Sequence, residues 1–280
     1  MYMLDILKSI LFGIIEGITE WLPISSTGHL ILLENFVKFE NVSEGFWDMF
    51  QVVIQLGAII AVVVLFWNKI FPFRIKKTPH IKTKTLNLWV KILIACVPAA
   101  IIGVFFDDIF NKYFYNPLSV SIALIVFGIA FIIIENYNKK RSPNVTSLNQ
   151  ITYKLALYIG IFQVIAAIFP GTSRSGATIV GALLLGVSRT VAAEFTFFLA
   201  IPVMFGASLL KIAKFGFSFT GAEALILIVG MIVAFVVSFI CIRFLMNYVK
   251  KHDFKVFGWY RIVLGAIVLL YAIIQIATAA

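Results

Sequence analysis

Two short stretches hold the residues whose types and spacing could do chemistry. Glu16 and Glu20 stand four apart and are followed by Ser26 and His29; far downstream come Ser173, Arg174, Ser175 and Thr178. Residues four apart share one face of a helix, so both carboxylates point the same way. Two carboxylates that close in an apolar setting repel, so one must keep its proton or a cation must sit between them. The downstream group lies between Gly171 and Gly176. A glycine-rich turn that opens a helix exposes backbone N–H groups where an anion is favoured. Arg174 would add paired donors that match phosphate oxygens. Close helix packing would account for the glycines and serines alone, but not for an arginine flanked by hydroxyls in an apolar stretch. His29 by itself would read as an ordinary satisfied polar residue; beside an acid pair and a hydroxyl-rich turn it becomes a candidate proton carrier. Acid pair, hydroxyl, imidazole and arginine together suit phosphoryl transfer, where catalysis is mostly positioning and charge stabilisation.

The elements that position these residues must sit in a membrane. Of 280 residues, 61% are apolar and 13% charged, and the mean hydropathy is +1.03. A soluble domain carries about a quarter charged residues, so a water-soluble globule is excluded. Disorder is excluded by 28 Phe, 9 Tyr and 5 Trp. Six apolar runs are long enough to cross the hydrocarbon core, over residues 49–67, 86–106, 117–134, 195–213, 222–242 and 262–279. Several end on aromatics suited to the interface, among them Trp47, Trp67, Trp89, Tyr113, Tyr248, Trp259 and Tyr260. Cys96 and Cys241 each fall inside an apolar run and read as buried free thiols, with no zinc spacing or disulfide framework. The first residues lack the basic region and cleavage site of a signal peptide.

The net charge of +10 is a topology signal rather than a nucleic-acid patch. Lys69, Arg74, Lys76, Lys77, Lys82 and Lys84 follow one run; Lys139, Lys140, Arg141 and Lys154 follow another; Arg243, Lys250, Lys251, Lys255 and Arg261 follow a third. These loops are expected on the cytoplasmic side. The opposite loops hold Glu34, Glu40, Glu44 and Asp48, and Asp107 and Asp108. Crossing parity then puts both termini outside. Residues 1–34 and 153–190 are apolar but broken by Pro23 and Pro170, each followed by small polar residues. They read as two re-entrant hairpins, tolerated at membrane depth only where protein or a wet cavity surrounds them. Gly13 to Pro23 aligns with Gly160 to Pro170 at an offset of 147. Each hairpin precedes three spans, an odd number, so the second copy is inverted. The expected fold is an all-α integral membrane protein with an inverted-topology repeat. Its first repeat covers 1–137, a cytoplasmic linker 138–152, and its second repeat 153–280.

The motifs now carry a resemblance. Glu16-x-x-x-Glu20 with Pro23-Ile24-Ser25-Ser26-Thr27-Gly28-His29, and Pro170-Gly171-Thr172-Ser173-Arg174-Ser175-Gly176-Ala177-Thr178, resemble the bacterial undecaprenyl-diphosphatase (bacitracin-resistance) family over the whole chain. The resemblance implies hydrolysis of undecaprenyl diphosphate to undecaprenyl phosphate and inorganic phosphate, which recycles the cell-wall lipid carrier at the bacterial inner membrane, with the site facing outward. It implies catalytic roles for Glu16, Glu20, Ser26 and His29, and phosphate binding by Ser173, Arg174, Ser175 and Thr178. A divalent cation (Mg or Ca) would be held by Glu16 and Glu20. The nucleophile stays open between Ser26, His29 and water. The expected partners are a polyprenyl diphosphate lipid and the bilayer, with no nucleic acid; small residues on several spans would permit a homodimer. The lipid-phosphatase pattern SRxxxxxHxxxD does not fit, since no His follows Arg174 at that spacing. The rival reading is a transporter or flippase of a polyprenyl phosphate, which inverted repeats alone would favour.

Overall fold

In hydrocarbon every backbone polar group must find a partner within the protein, so apolar runs of this length form helices. The computed structural model describes residues 2–34, 36–74, 80–216 and 218–279, and it is helical almost throughout. The first half runs α1 (Tyr2–Thr19), α2 (Ser26–Leu33), α3 (Phe46–Val53), α4 (Gln55–Leu65), a single turn α5 (Trp67–Ile70), α6 (Thr83–Phe114) and α7 (Pro117–Asn138). A two-residue antiparallel pair, Phe73–Arg74 with His80–Ile81, lies between α5 and α6. The second half runs α8 (Tyr153–Ile168), α9 (Arg174–Leu184), α10 (Arg189–Phe215), α11 (Gly221–Tyr248) and α12 (Lys255–Ala279), after a 3-10 turn at Leu148–Gln150.

Among the described residues, six helices are long and apolar enough to cross a membrane. They match the six expected runs, with three refinements. The first span, Phe46–Leu65, is two helices that meet at Ile54. The second extends far past the apolar run, to Phe114. The last begins at Lys255, seven residues before the expected start, and so takes in Arg261. The short helices α2 (8 residues) and α9 (11 residues) cannot span a bilayer. Lys76 and Lys77 of the first basic loop lie outside the described residues, as do the side chains of Arg74, Asp107 and Asp108.

Three long pairings organise the bundle: α7 along α12, α1 along α11, and α6 along α8. Small residues allow the close approaches. A Cβ on Gly13 would stand 2.7 Å from the Gly230 carbonyl oxygen. The first three turns of α10 are buried on every side, from Val191 to Ala200, so this helix forms the centre. The outer faces are apolar at intervals of three and four: Ile122, Val126, Ile129 and Ile133 on α7, Ile232, Val236 and Ile240 on α11, and Val263, Ile267, Leu270 and Ile274 on α12 are all exposed. In water such belts would aggregate; acyl chains cover them. At one end of the bundle, buried Glu135 accepts from Arg189 Nε at 2.9 Å, from Arg189 Nη2 at 2.5 Å and from the Phe254 N–H at 2.9 Å. This one carboxylate ties the end of α7 to the starts of α10 and α12. Cys96 and Cys241 are free, Cys96 buried and Cys241 half-buried.

Candidate active site

The two breaks are built alike. Ser25 caps α2 with φ 74°, and its Oγ accepts from the Gly28 N–H at 3.4 Å. Ser173 caps α9 with φ 66°, and its Oγ accepts from the Gly176 N–H at 3.2 Å. Among the described residues, these two are the only non-glycine residues with positive φ. Such a conformation is costly for a side-chain-bearing residue and persists only where its surroundings hold it. Each cap also leaves other first-turn N–H groups without helical partners.

What holds the breaks is Arg261 of α12. It is fully buried, and it donates to the Pro23 carbonyl at 3.4 Å, to Gly171 at 2.9 Å and to Thr172 at 2.5 Å. One guanidinium therefore satisfies carbonyls of both breaks, which no helix ladder can reach. Close packing here explains two glycines, only the first of them through Arg261 itself. A Cβ on Gly176 would lie 2.6 Å from Arg261 Nη1, and Gly171 adopts φ 93° with the Val120 carbonyl where a Cβ would point. The sequence reading placed Arg261 in a cytoplasmic basic loop; the structure corrects this. A basic residue at the edge of an apolar run looks the same whether it flanks a span or enters it. The only available signal was that no acid accompanies it within the following run.

Glu20 joins the two halves. Its Oε1 accepts from Arg174 Nη2 at 2.9 Å, and its Oε2 accepts from Ser26 Oγ at 3.3 Å. Arg174 also donates from Nη1 to the Thr196 carbonyl at 3.1 Å. Ser175 Oγ donates to the Glu20 carbonyl at 3.2 Å and contacts Ser173 Oγ at 3.0 Å. Thr178, expected among the phosphate ligands, is fully buried; its hydroxyl is engaged with the carbonyls of Arg174 (3.0 Å) and Ser175 (3.2 Å) and with Thr196 Oγ1 (2.9 Å). Glu16 is also fully buried, and neither of its carboxyl oxygens has a hydrogen-bond partner. The charged groups acting on it are Glu20 and Arg174. Buried unpaired carboxylates are rare because they are expensive.

His29 belongs to the first turn of α2, on the side of α12. Its Nδ1 lies 2.7 Å from the Ser25 carbonyl oxygen, and its Nε2 lies 2.7 Å from the Tyr260 hydroxyl. The two rings stack with centroids 5.6 Å apart and planes 15° apart. Burial separates the set into two tiers. Ser26, Thr27, His29, Ser173 and Arg174 are partly exposed, whereas Glu16, Glu20, Ser25, Ser175, Thr178, Thr196 and Arg261 are buried behind them. The eight residues singled out from sequence thus come from three helices, α1, α2 and α9, and the breaks that adjoin them. Arg261, Tyr260 and Thr196 are the members that sequence reading missed. Among the described residues, no group of three His, Cys, Asp or Glu stands ready to ligate a metal.

The fold and this arrangement define a class: a polytopic helical membrane protein with a buried acid–arginine site between two broken helices. The chain belongs to the bacitracin resistance protein BacA family, whose model matches residues 9–267. It is 65% identical over 271 residues to the undecaprenyl-diphosphatase of Desulfitobacterium hafniense, covering 97% of each chain. It is 61% identical to that of Enterococcus faecalis, covering 95% of this chain and 97% of the relative, and 57% identical to that of Streptococcus pneumoniae, covering 99% of both.

Proposed function

We propose that this protein is a membrane phosphatase that hydrolyses undecaprenyl diphosphate to undecaprenyl phosphate and inorganic phosphate, recycling the lipid carrier of cell-wall synthesis. The shared name of its relatives supports the substrate. The observation that carries the chemistry is Glu20, bonded at once to Arg174 and to the Ser26 hydroxyl. A carboxylate on a serine hydroxyl is a base on a nucleophile, and pure translocation has no use for it. In this reading the terminal phosphoryl group seats against Arg174, Ser173 and the free N–H groups at the starts of α2 and α9. Ser26 Oγ attacks the terminal phosphorus, its proton passes to Glu20, and the bond to the bridging oxygen breaks, releasing undecaprenyl phosphate. Water then cleaves the Ser26 phosphate ester to give inorganic phosphate. Ser175 and Thr178 support this turn from behind through Glu20, Arg174 and Thr196. His29 carries protons at the first break.

In the alternative to its role as base, Glu20 would hold a divalent cation together with Glu16, whose oxygens lack hydrogen-bond partners and feel the charges of Glu20 and Arg174. Two carboxylates plus substrate oxygens are a usual magnesium environment. Bound there, the cation would neutralise phosphate charge.

The finer architecture is part of the same proposal. Two inverted repeats, 1–137 and 153–280, would each begin with a re-entrant hairpin. The mirrored pairings support this, since α1 packs on α11 as α8 packs on α6, and α2 meets α12 as α9 meets α7. So do the matched left-handed caps, Ser25 and Ser173. Their separation is 148 residues, one more than the offset of the preceding helices, because the second break holds one extra residue between Pro170 and its cap. The three basic loops would face the cytoplasm, with both termini and the mouth of the site outside.

The test is phosphate release from undecaprenyl diphosphate by detergent-purified protein, with and without a chelator. No vectorial transport exists in detergent, so turnover there establishes hydrolysis; silence there, with lipid movement in proteoliposomes, would favour the transporter reading.

A further inference from the structure

The hydrogen-bond partners of His29 fix more than its place. A carbonyl oxygen only accepts, so the contact to the Ser25 carbonyl puts a proton on Nδ1. In the neutral ring Nε2 is then a bare lone pair, and the Tyr260 hydroxyl at 2.7 Å is its donor. If the ring takes up a second proton, the same hydroxyl can turn and accept from Nε2–H. A phenol therefore serves both protonation states of the imidazole without any heavy atom moving. The stacked geometry, with planes 15° apart, holds the ring in one orientation. Tyr260 reaches this point because the next residue, Arg261, anchors α12 to the carbonyls of both breaks. Ordinary interfacial placement explains an exposed tyrosine, but not a phenol bonded to one partly buried imidazole and stacked on it.

We propose that Tyr260 is a positioning residue for the phosphatase reaction: it holds His29 as the Nδ1–H tautomer, with the Nε2 lone pair kept available through its own hydroxyl. It acts through His29 and needs no contact with the lipid. The assignment rests on the phosphatase reading for its kinetic consequence but not for its spectroscopic one.

Two variants of the full-length protein in detergent separate the possibilities. Tyr260→Phe keeps the ring and removes only the hydroxyl; Tyr260→Ala removes both. The chain contains three histidines, His29, His80 and His252, so the nitrogen-15 spectrum of histidine-labelled protein is sparse, and His29→Gln assigns the signal. In the parent protein His29 should show a protonated Nδ1 and a hydrogen-bonded, unprotonated Nε2. In Y260F the Nε2 signal should move to the free position or the tautomers should mix. kcat for phosphate release should fall about tenfold, the usual scale for one lost hydrogen bond, while KM and the melting temperature stay near the parent values. The proposal is overturned if Y260F leaves the His29 signals and kcat unchanged, or if only Y260A is impaired, which would reduce Tyr260 to packing. If the parent protein releases no phosphate, the phosphatase reading fails; the tautomer result then still decides whether Tyr260 governs His29.

Discussion

Glu20 can be tested apart from its neighbours because its two oxygens serve different partners. Glu20→Gln preserves an acceptor for Arg174 and the size of the side chain, yet removes the base from Ser26. Phosphate release should drop by about 10²- to 10⁴-fold, the range of a lost general base, while expression and melting temperature change little. Arg174→Ala is harsher. It removes the phosphate clamp and leaves Glu20 beside Glu16 without a counter-charge, and breaking a buried pair costs about 3–5 kcal/mol. It should lose activity and melt lower. Arg174→Lys keeps the charge but cannot reach Glu20 Oε1 and the Thr196 carbonyl together, so it should recover stability far better than turnover. Full activity in Arg174→Ala at normal expression would sink the clamp. At this scale the sequence was informative about identity and silent about tier. Thr178 and Ser26 are both hydroxyls in polar motifs, but one is fully buried behind the arginine turn and the other faces the base. Exposure depends on which helix lies behind a residue, and no local pattern encodes that.

The breaks are the informative elements. Ser25 and Ser173 each combine a side-chain cap with a left-handed backbone. Replacing Ser25 by alanine removes the cap and keeps the strain, so it should cost about 1 kcal/mol. Replacing it by glycine also removes the cap but relieves a comparable strain, so it should be nearly neutral. Thermal melts in detergent would order the two, and an alanine variant as stable as the glycine one would refute a strained cap. Arg261→Met should unfasten both breaks at once, leaving three carbonyls without their donor. It should lower both the melting temperature and the turnover, whereas Gly176→Ala should impair turnover by displacing the guanidinium from one side. Six spans and two interruptions were legible in the apolar runs, since length and proline placement are local properties. The boundary of α12 was not, because hydropathy ends where charge begins. Arg261 continues the helix only because carbonyls from two distant loops wait for it.

The whole molecule turns two half-sites into one. Each broken stretch lacks what the other holds: the first carries Glu16, Glu20, Ser26 and His29, and the second carries Ser173 and Arg174. They meet at the 2.9 Å ion pair between Glu20 and Arg174 and at the Ser175 hydroxyl on the Glu20 carbonyl, with Arg261 bonded to both breaks. Long pairings of α1 with α11 and α6 with α8 cross between the halves, so separately expressed halves should not fold as independent units. Single cysteines placed at Lys140 and Lys251 in a cysteine-free background should be shielded from impermeant thiol reagents added outside the cell, whereas one at Ala280 should react. The reverse labelling would overturn the proposed topology.

Composition, the spacing of apolar runs and the side preference of lysine and arginine were enough to specify a helical membrane protein with six spans and two interrupted stretches. Those quantities act through solvent transfer, which each segment settles largely by itself. The motifs also named most of the residues that meet. Only the tertiary structure decided that Arg261 is a buried staple, that Tyr260 faces His29, that Thr196 backs Arg174, and that Ser175 and Thr178 stand behind the turn. Those contacts join residues up to 238 positions apart, and a hydrogen bond over that separation depends on how the helices pack, which no local pattern records.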